Sequence, residues 1–126
     1  MPILMLQDFH PGEVIDPKTS YGYAYNVAIA EDRLRRTIER TATLVRGQMA
    51  SGSKCPGIVC SLGGDMVSGE THQELIDTNE MGVGEQMIHA VDLCIGAITA
   101  LAEEFGKVFV PCATGVRTET WTVFTA

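Results

Sequence analysis

Apolar positions in this chain alternate between short continuous runs and long helical periods. Pro2-Ile3-Leu4-Met5-Leu6 is an unbroken apolar run, closed by Gln7-Asp8 and then by Pro11-Gly12. So short a run, bounded by turn residues, predicts a buried strand. Glu13 to Gly22 reads as a loop. From about Tyr25 to Met49 the period becomes helical. Leu34, Ile38, Val45 and Met49 share one face with Ala42 between them, and Arg35, Arg36, Glu39, Arg40 and Arg46 mostly take the others. Glu31 and Asp32 stand one turn before Arg35 and Arg36, the favoured polarity for ion pairs, so this basic group reads as a solvated helix face rather than a nucleic-acid patch.

The segment 48–57 reads as a loop, and Ile58 to Leu62 as a second strand. A long helix is predicted from roughly Glu85 to Phe105, stopped by Gly106. Its apolar residues Ile88, Val91, Leu93, Ile95, Ile98, Leu101 and Ala102 spread too widely for one stripe, which predicts burial on more than one side. Val108-Phe109-Val110 gives a third strand, closing at Pro111 to Gly115. The alternation predicts an α/β fold, a β-α-β-α-β core with a parallel sheet and right-handed crossovers. In the last stretch, VRTETWTVFTA, threonines alternate against Glu119, Trp121 and Val123. This fits either a fourth, edge strand or a segment with no good partner.

The 126 residues bound the picture to one domain. With 45% hydrophobic and 20% charged residues the composition is that of a soluble globular protein, and no run approaches a membrane span. The start, MPILMLQDFH, has neither a basic region nor a cleavage site of the secretory kind. A formal net charge of −7 argues against broad, charge-driven nucleic-acid binding but leaves a phosphate substrate open through bound cations. Cys55, Cys60, Cys94 and Cys112 form no CxxC pair and read as small hydrophobes in a reducing, cytoplasmic compartment. Neither GxGxxG nor GxxxxGK[ST] follows a strand, which disfavours a P-loop or Rossmann nucleotide site.

Ligands of open parallel sheets bind beyond the carboxyl ends of the strands. There the first strand delivers Asp8-Phe9-His10, the second Gly64-Asp65 and the third Thr114-Gly115-Val116. Each piece alone has a plain structural explanation: Asp8 as the cap of a turn, Gly-Asp as a turn. Together they place two carboxylates and an imidazole on one sheet edge. That donor set suits Mn, Fe or Zn better than Ca or Mg alone. Asp-x-His near a strand end would aim both side chains one way, and Gly63-Gly64 would let the backbone turn close to an ion. His72 fits either a turn residue or a phosphate-contacting or proton-donating one. Asn79 and Glu80 read as polar loop residues, and His89 as a structural histidine of the second helix.

D-x-H after strand one and G-D after strand two resemble the first two motifs of the calcineurin-like metallophosphoesterases. GGDMVSGETHQEL, with DTNE just after it, and YGYAYNVAIAEDRL before the first helix resemble a phage and mobile-element branch of that superfamily. The resemblance runs from about Leu4 to Gly115. DxH alone is nonspecific; the GDMVSG-x-x-H-x-E-L string is much less so. It implies the first half of a four-layer sandwich and a two-metal phosphoesterase. Asp8 and His10 would hold the first ion and Asp65 would bridge to the second, with Mn first among the candidate ions and Fe, Zn or Mg behind it. An ion-activated water would attack a phosphomonoester or phosphodiester, with His72 as a catalytic candidate. The implied substrates are phosphate esters, nucleic acid or nucleotides among them, in the cytoplasm of a bacterial host.

The pattern breaks after the third strand. Where the family carries Gly-Asn-His, this chain has Gly115-Val116-Arg117-Thr118, and its histidines are His10, His72 and His89. The expectation is therefore a partial domain over 1–115 with a divergent tail over 116–126, the product of truncation or a reading-frame shift, with little or no activity. The competing expectation is a non-catalytic α/β module that binds one metal or self-associates into a homo-oligomer through a raw sheet edge.

Overall fold

In the sheet Leu4 stands beside Cys60 and Leu6 beside Leu62, so two apolar strands present matched rows to one side. The structure, a computed structural model, describes residues 1–49, 55–67 and 79–113 and the backbone of 122–123. Strand β1 covers Ile3–Leu6, helix α1 Val27–Gln48, strand β2 Ile58–Leu62 and helix α2 Val83–Phe105. Three two-residue strands follow: β3 (Val108–Phe109), β4 (Pro111–Cys112) and β5 (Thr122–Val123). β2 pairs in parallel with β1 on one side and with β3 and β4 on the other; β5 pairs antiparallel with β4. The described residues thus form a mixed α/β fold built on a small parallel sheet and two helices.

The expected third strand is present but runs further than its apolar run. Ile58 pairs with Val108 and Leu62 with Cys112, the same offset in both, so β3 and β4 hold one register against β2. Pro111 interrupts the ladder because it has no N–H to give. Thr122–Val123 takes the edge-strand alternative for the tail; 114–121 and 124–126 lie outside the described residues.

Alternation within the strands decides which side chains are buried. Leu4, Ile58 and Cys60, with Leu6, Leu62 and Val108 around them, meet Ile38 of α1 and Leu101 and Phe105 of α2. Both helices therefore lie against the same sheet face. The opposite face carries Ile3, Met5 and Phe109, each more than half exposed. A parallel sheet is ordinarily covered on both faces; among the described residues this one has helices on one face only.

Helix α1 begins where Asn26 Oδ1 accepts from the Ile29 amide at 2.9 Å, relieving one of the unpaired first-turn donors. Helix α2 ends at Gly106, whose φ of 76° suits a residue without a Cβ. Burial of α2 on several sides is not what the fold contains. Gln86, Ala90, Ala97 and Leu101 are buried, but Met87, Ile88, Val91 and Ile95 are exposed. One flank of α2 packs on α1 and the sheet; its broad apolar spread reflects a second flank that no described residue covers. Among the described residues no helix is long and apolar enough to cross a membrane.

Candidate functional site

The β1–β2 ladder continues past both strands. The Gly63 amide donates to the Leu6 carbonyl at 2.7 Å, and the Asp8 amide to the Gly64 carbonyl at 3.3 Å. Asp8 and Asp65 therefore leave the sheet from the carboxyl ends of adjacent strands. The closeness of these ends requires a glycine at 63, where an added Cβ would sit 2.5 Å from Gln7 Cβ.

Three residues here hold left-handed backbone: Asp8 at φ 56°, His10 at 43° and Asp65 at 56°. Aspartate and histidine tolerate that region better than most side chains, but each such residue still costs of order 1 kcal/mol. Such strain concentrates at functional sites. It also changes the reason that Asp8 and His10 meet. The pair lies beyond β1, so strand alternation does not align it. The left-handed turn does, bringing His10 Nε2 to 2.6 Å from Asp8 Oδ1. The Asp8 side chain is 74% exposed and that of His10 28%. The other ring nitrogen, His10 Nδ1, is buried and has no hydrogen-bond partner among the described residues.

Asp8 and His10 line a cleft of about 430 Å³ between the end of β1, the following loop and α1. Glu13, Tyr25 and Arg33 line it too, and none of the three stood out as a candidate in the sequence. The Tyr25 hydroxyl donates to the carbonyl of Phe9, the middle residue of the Asp-x-His step. Burial raises the Tyr25 pKa, with Arg33 opposing and Glu13 and Asp8 adding to the rise. The Arg33 guanidinium lies over the Tyr25 ring, 5.1 Å from its centroid. No local motif marks Arg33, which sits among four other arginines of α1; only the packing of the helix against the loop distinguishes it.

The remaining candidates fall elsewhere. His72 lies outside the described residues. Glu80 Oε2 accepts from the Val27 amide at 3.4 Å, placing a carboxylate at the positive end of α1, while its own amide donates to the Gly12 carbonyl. Asn79 is partly buried beside it. His89 Nε2 lies 3.2 Å from Glu31 Oε1, an ion-pair distance without hydrogen-bond alignment, and so ties α2 to α1. The four cysteines are free thiols; burial, with smaller contributions from Cys94 and Cys112, pushes Cys60 up to about 11.

Among the described residues no group of three or more His, Cys, Asp or Glu side chains is set to hold a metal ion. Asp8 and His10 are joined; Asp65 is exposed on the neighbouring strand end. What the pair offers chemically is one carboxylate and one imidazole, with an unsatisfied buried nitrogen that a further polar group would stabilise. Comparison of the chain with protein-family models, with curated proteins and with solved structures finds no match.

Proposed function

We propose that this chain is a divergent, metal-dependent phosphoesterase domain whose ion is held at the carboxyl edge of the sheet by Asp8, His10 and Asp65. The observation that carries the reading is the joint strain at that edge. All three residues occupy left-handed backbone on adjacent parallel strand ends, and Asp8 and His10 line a cleft. The mixed donor set favours Mn, with Fe, Zn or Mg as alternatives. The unpartnered His10 nitrogen is a further point of fit. A bound divalent ion would neutralise phosphate charge and make a water more acidic. Asp8 orients the His10 ring, and Asp65 supplies charge from the second strand. His72 stands in this reading as the proton donor to the leaving group. The substrates would be phosphodiesters or phosphomonoesters, nucleotides and nucleic acid included, in a reducing cytoplasm where free thiols persist.

The fold belongs in this reading to the front half of the four-layer metallophosphoesterase sandwich, over 1–115, with 116–126 as a divergent tail. Turnover would be weak, because Gly115-Val116-Arg117 stands where that family carries Gly-Asn-His.

The test is incubation of the purified chain with Mn and a chromogenic phosphodiester, beside Asp65→Ala, with thermal melting in parallel. The expected result is a rise in melting temperature with Mn and a slow turnover lost in Asp65→Ala. Ligand at a hundredfold excess over its Kd stabilises by about 2.7 kcal/mol, which melting resolves easily. No binding of Mn by either protein would end the metal reading.

A non-catalytic, self-associating module is the second reading. It is favoured by the exposed Ile3 and Met5 on β1, an edge strand among those described, and by the lack of a three-ligand cluster among the described residues. Mn binding without turnover, together with a dimeric mass in solution, would favour it.

A further inference from the structure

We infer that Arg33 is the oxyanion-binding residue of the Asp8–His10 cleft, gripping the phosphate group that the ion would hold from the other side. The inference rests on the phosphoesterase reading and assigns a residue to it.

The cleft is otherwise acidic: Asp8 and Glu13 line it, and Arg33 is the one lysine or arginine among its described lining residues. A phosphate entering such a cleft meets like charge unless cations offset it.

Arg33 also differs from three of the other four arginines on α1, Arg40 being outside any ion pair among the described residues as well. Arg35 pairs with Asp32 and Glu39, Arg36 with Asp32, and Arg46 with Glu104. Among the described residues Arg33 has no carboxylate within ion-pair distance, although Asp8 and Glu13 share its cleft. Among the described residues its donors have no hydrogen-bond acceptor either.

The guanidinium is nonetheless held in place. It lies over the Tyr25 ring, and that ring is pinned by its hydroxyl's bond to the Phe9 carbonyl. A guanidinium held over a ring by attraction to its π face spends no hydrogen bond on that contact, so its N–H groups remain available to meet a planar pair of oxygens with little further loss of freedom.

Finally, Phe9 lies between Asp8 and His10, so the Tyr25 hydroxyl fixes Arg33 relative to the same turn that carries the proposed ligands. One short chain of contacts, Arg33 to Tyr25 to Phe9, sets the spacing between a fixed cation and the ion-binding turn.

The experiment titrates inorganic phosphate into Mn-loaded protein by calorimetry, after a separate Mn titration of each variant. Arg33→Gln is expected to bind Mn as the wild type does and to lose phosphate affinity about tenfold or more. Arg33→Lys, which keeps charge but not the fork, is expected to fall between the two. Arg40→Gln makes the same charge change elsewhere on α1 and is expected to bind phosphate normally. Phosphate affinity unchanged in Arg33→Gln, or lowered equally in Arg40→Gln, would overturn the assignment while leaving the metal site standing. Wild-type protein that binds no Mn would remove the phosphoesterase reading and this inference with it. Loss of folding in Arg33→Gln alone, with Arg33→Lys indistinguishable from wild type in phosphate binding, would show that Arg33 serves the helix and not the anion.

Discussion

Gly63 and Gln7 approach so closely that a methyl group on the glycine would lie 2.5 Å from Gln7 Cβ. This contact holds together the two strand ends from which Asp8 and Asp65 depart. Gly63→Ala must push them apart or distort the ladder bond from Gly63 to Leu6. Overpacking of this kind costs about 1–3 kcal/mol. The urea midpoint of Gly63→Ala should fall accordingly. Gly84→Ala, on α2 with nothing near its added Cβ, should instead gain up to about 1 kcal/mol from helix propensity. A neutral Gly63→Ala would show that the strand ends are not tightly coupled.

The start of α1 is held by two side chains distant in sequence. Asn26 accepts from the Ile29 amide and Glu80 from the Val27 amide. The Asn26 bond is the shorter, at 2.9 Å against 3.4 Å. Asn26→Ala should therefore cost about 1 kcal/mol and Glu80→Gln less. Equal losses measured by denaturant unfolding would contradict that ranking.

Cys60 makes the fold sensitive to alkali. Its thiol is fully buried, and burial lifts its pKa from 9.0 to about 11. The unfolded chain therefore releases this proton first as pH rises. The contribution is intact below pH 9 and is lost as pH climbs through about 11. The full loss should approach roughly 3 kcal/mol, because each tenfold difference in proton affinity between folded and unfolded chain is worth about 1.4 kcal/mol. The stability advantage of wild type over Cys60→Ala should narrow between pH 8 and pH 10.5. Rapid alkylation of Cys60 by iodoacetamide at pH 8 in the folded protein would contradict its burial.

The strands and helices were legible because their signals are local. Ile58–Leu62 is a continuous apolar run and α1 has a clear face led by Leu34 and Ile38, so both lie where the pattern puts them. Cys112 lies in a strand-like run of the sequence and in β4 of the structure, but its register against Leu62, which carries the strand past Pro111, was not legible. The exposed flank of α2 was not legible either. Met87, Val91 and Ile95 are as apolar as buried residues, and sequence cannot tell a covered face from one that lacks its cover. At the site, Asp8, His10 and Asp65 stood out by residue type at strand ends. Arg33 did not, because its distinction from Arg35 and Arg36 is only that they are paired and it is stacked.

The far ends of the helices are joined by Arg46 and Glu104. Arg46 Nε donates to Glu104 Oε1 at 2.6 Å, and Nη2 donates to Oε2, a two-bond fork between α1 and α2. The hydrogen bond from Arg46 holds the Glu104 carboxyl below its ordinary value of 4.5. A carboxyl lowered in the folded state binds its proton more weakly there than in the unfolded chain. The pair's contribution is therefore complete above about pH 4.5 and disappears as pH falls through the lower, folded value. Arg46 is well exposed, so solvent and salt screen the attraction. A double-mutant cycle of Arg46→Met and Glu104→Gln should show a small favourable coupling at pH 7 and low salt. That coupling should shrink in 1 M NaCl, where the Debye length is about 3 Å, and vanish once Glu104 is protonated. Coupling that persists unchanged in acid would mean that α1 and α2 are held there by the alkyl stems of the two side chains rather than by their charges.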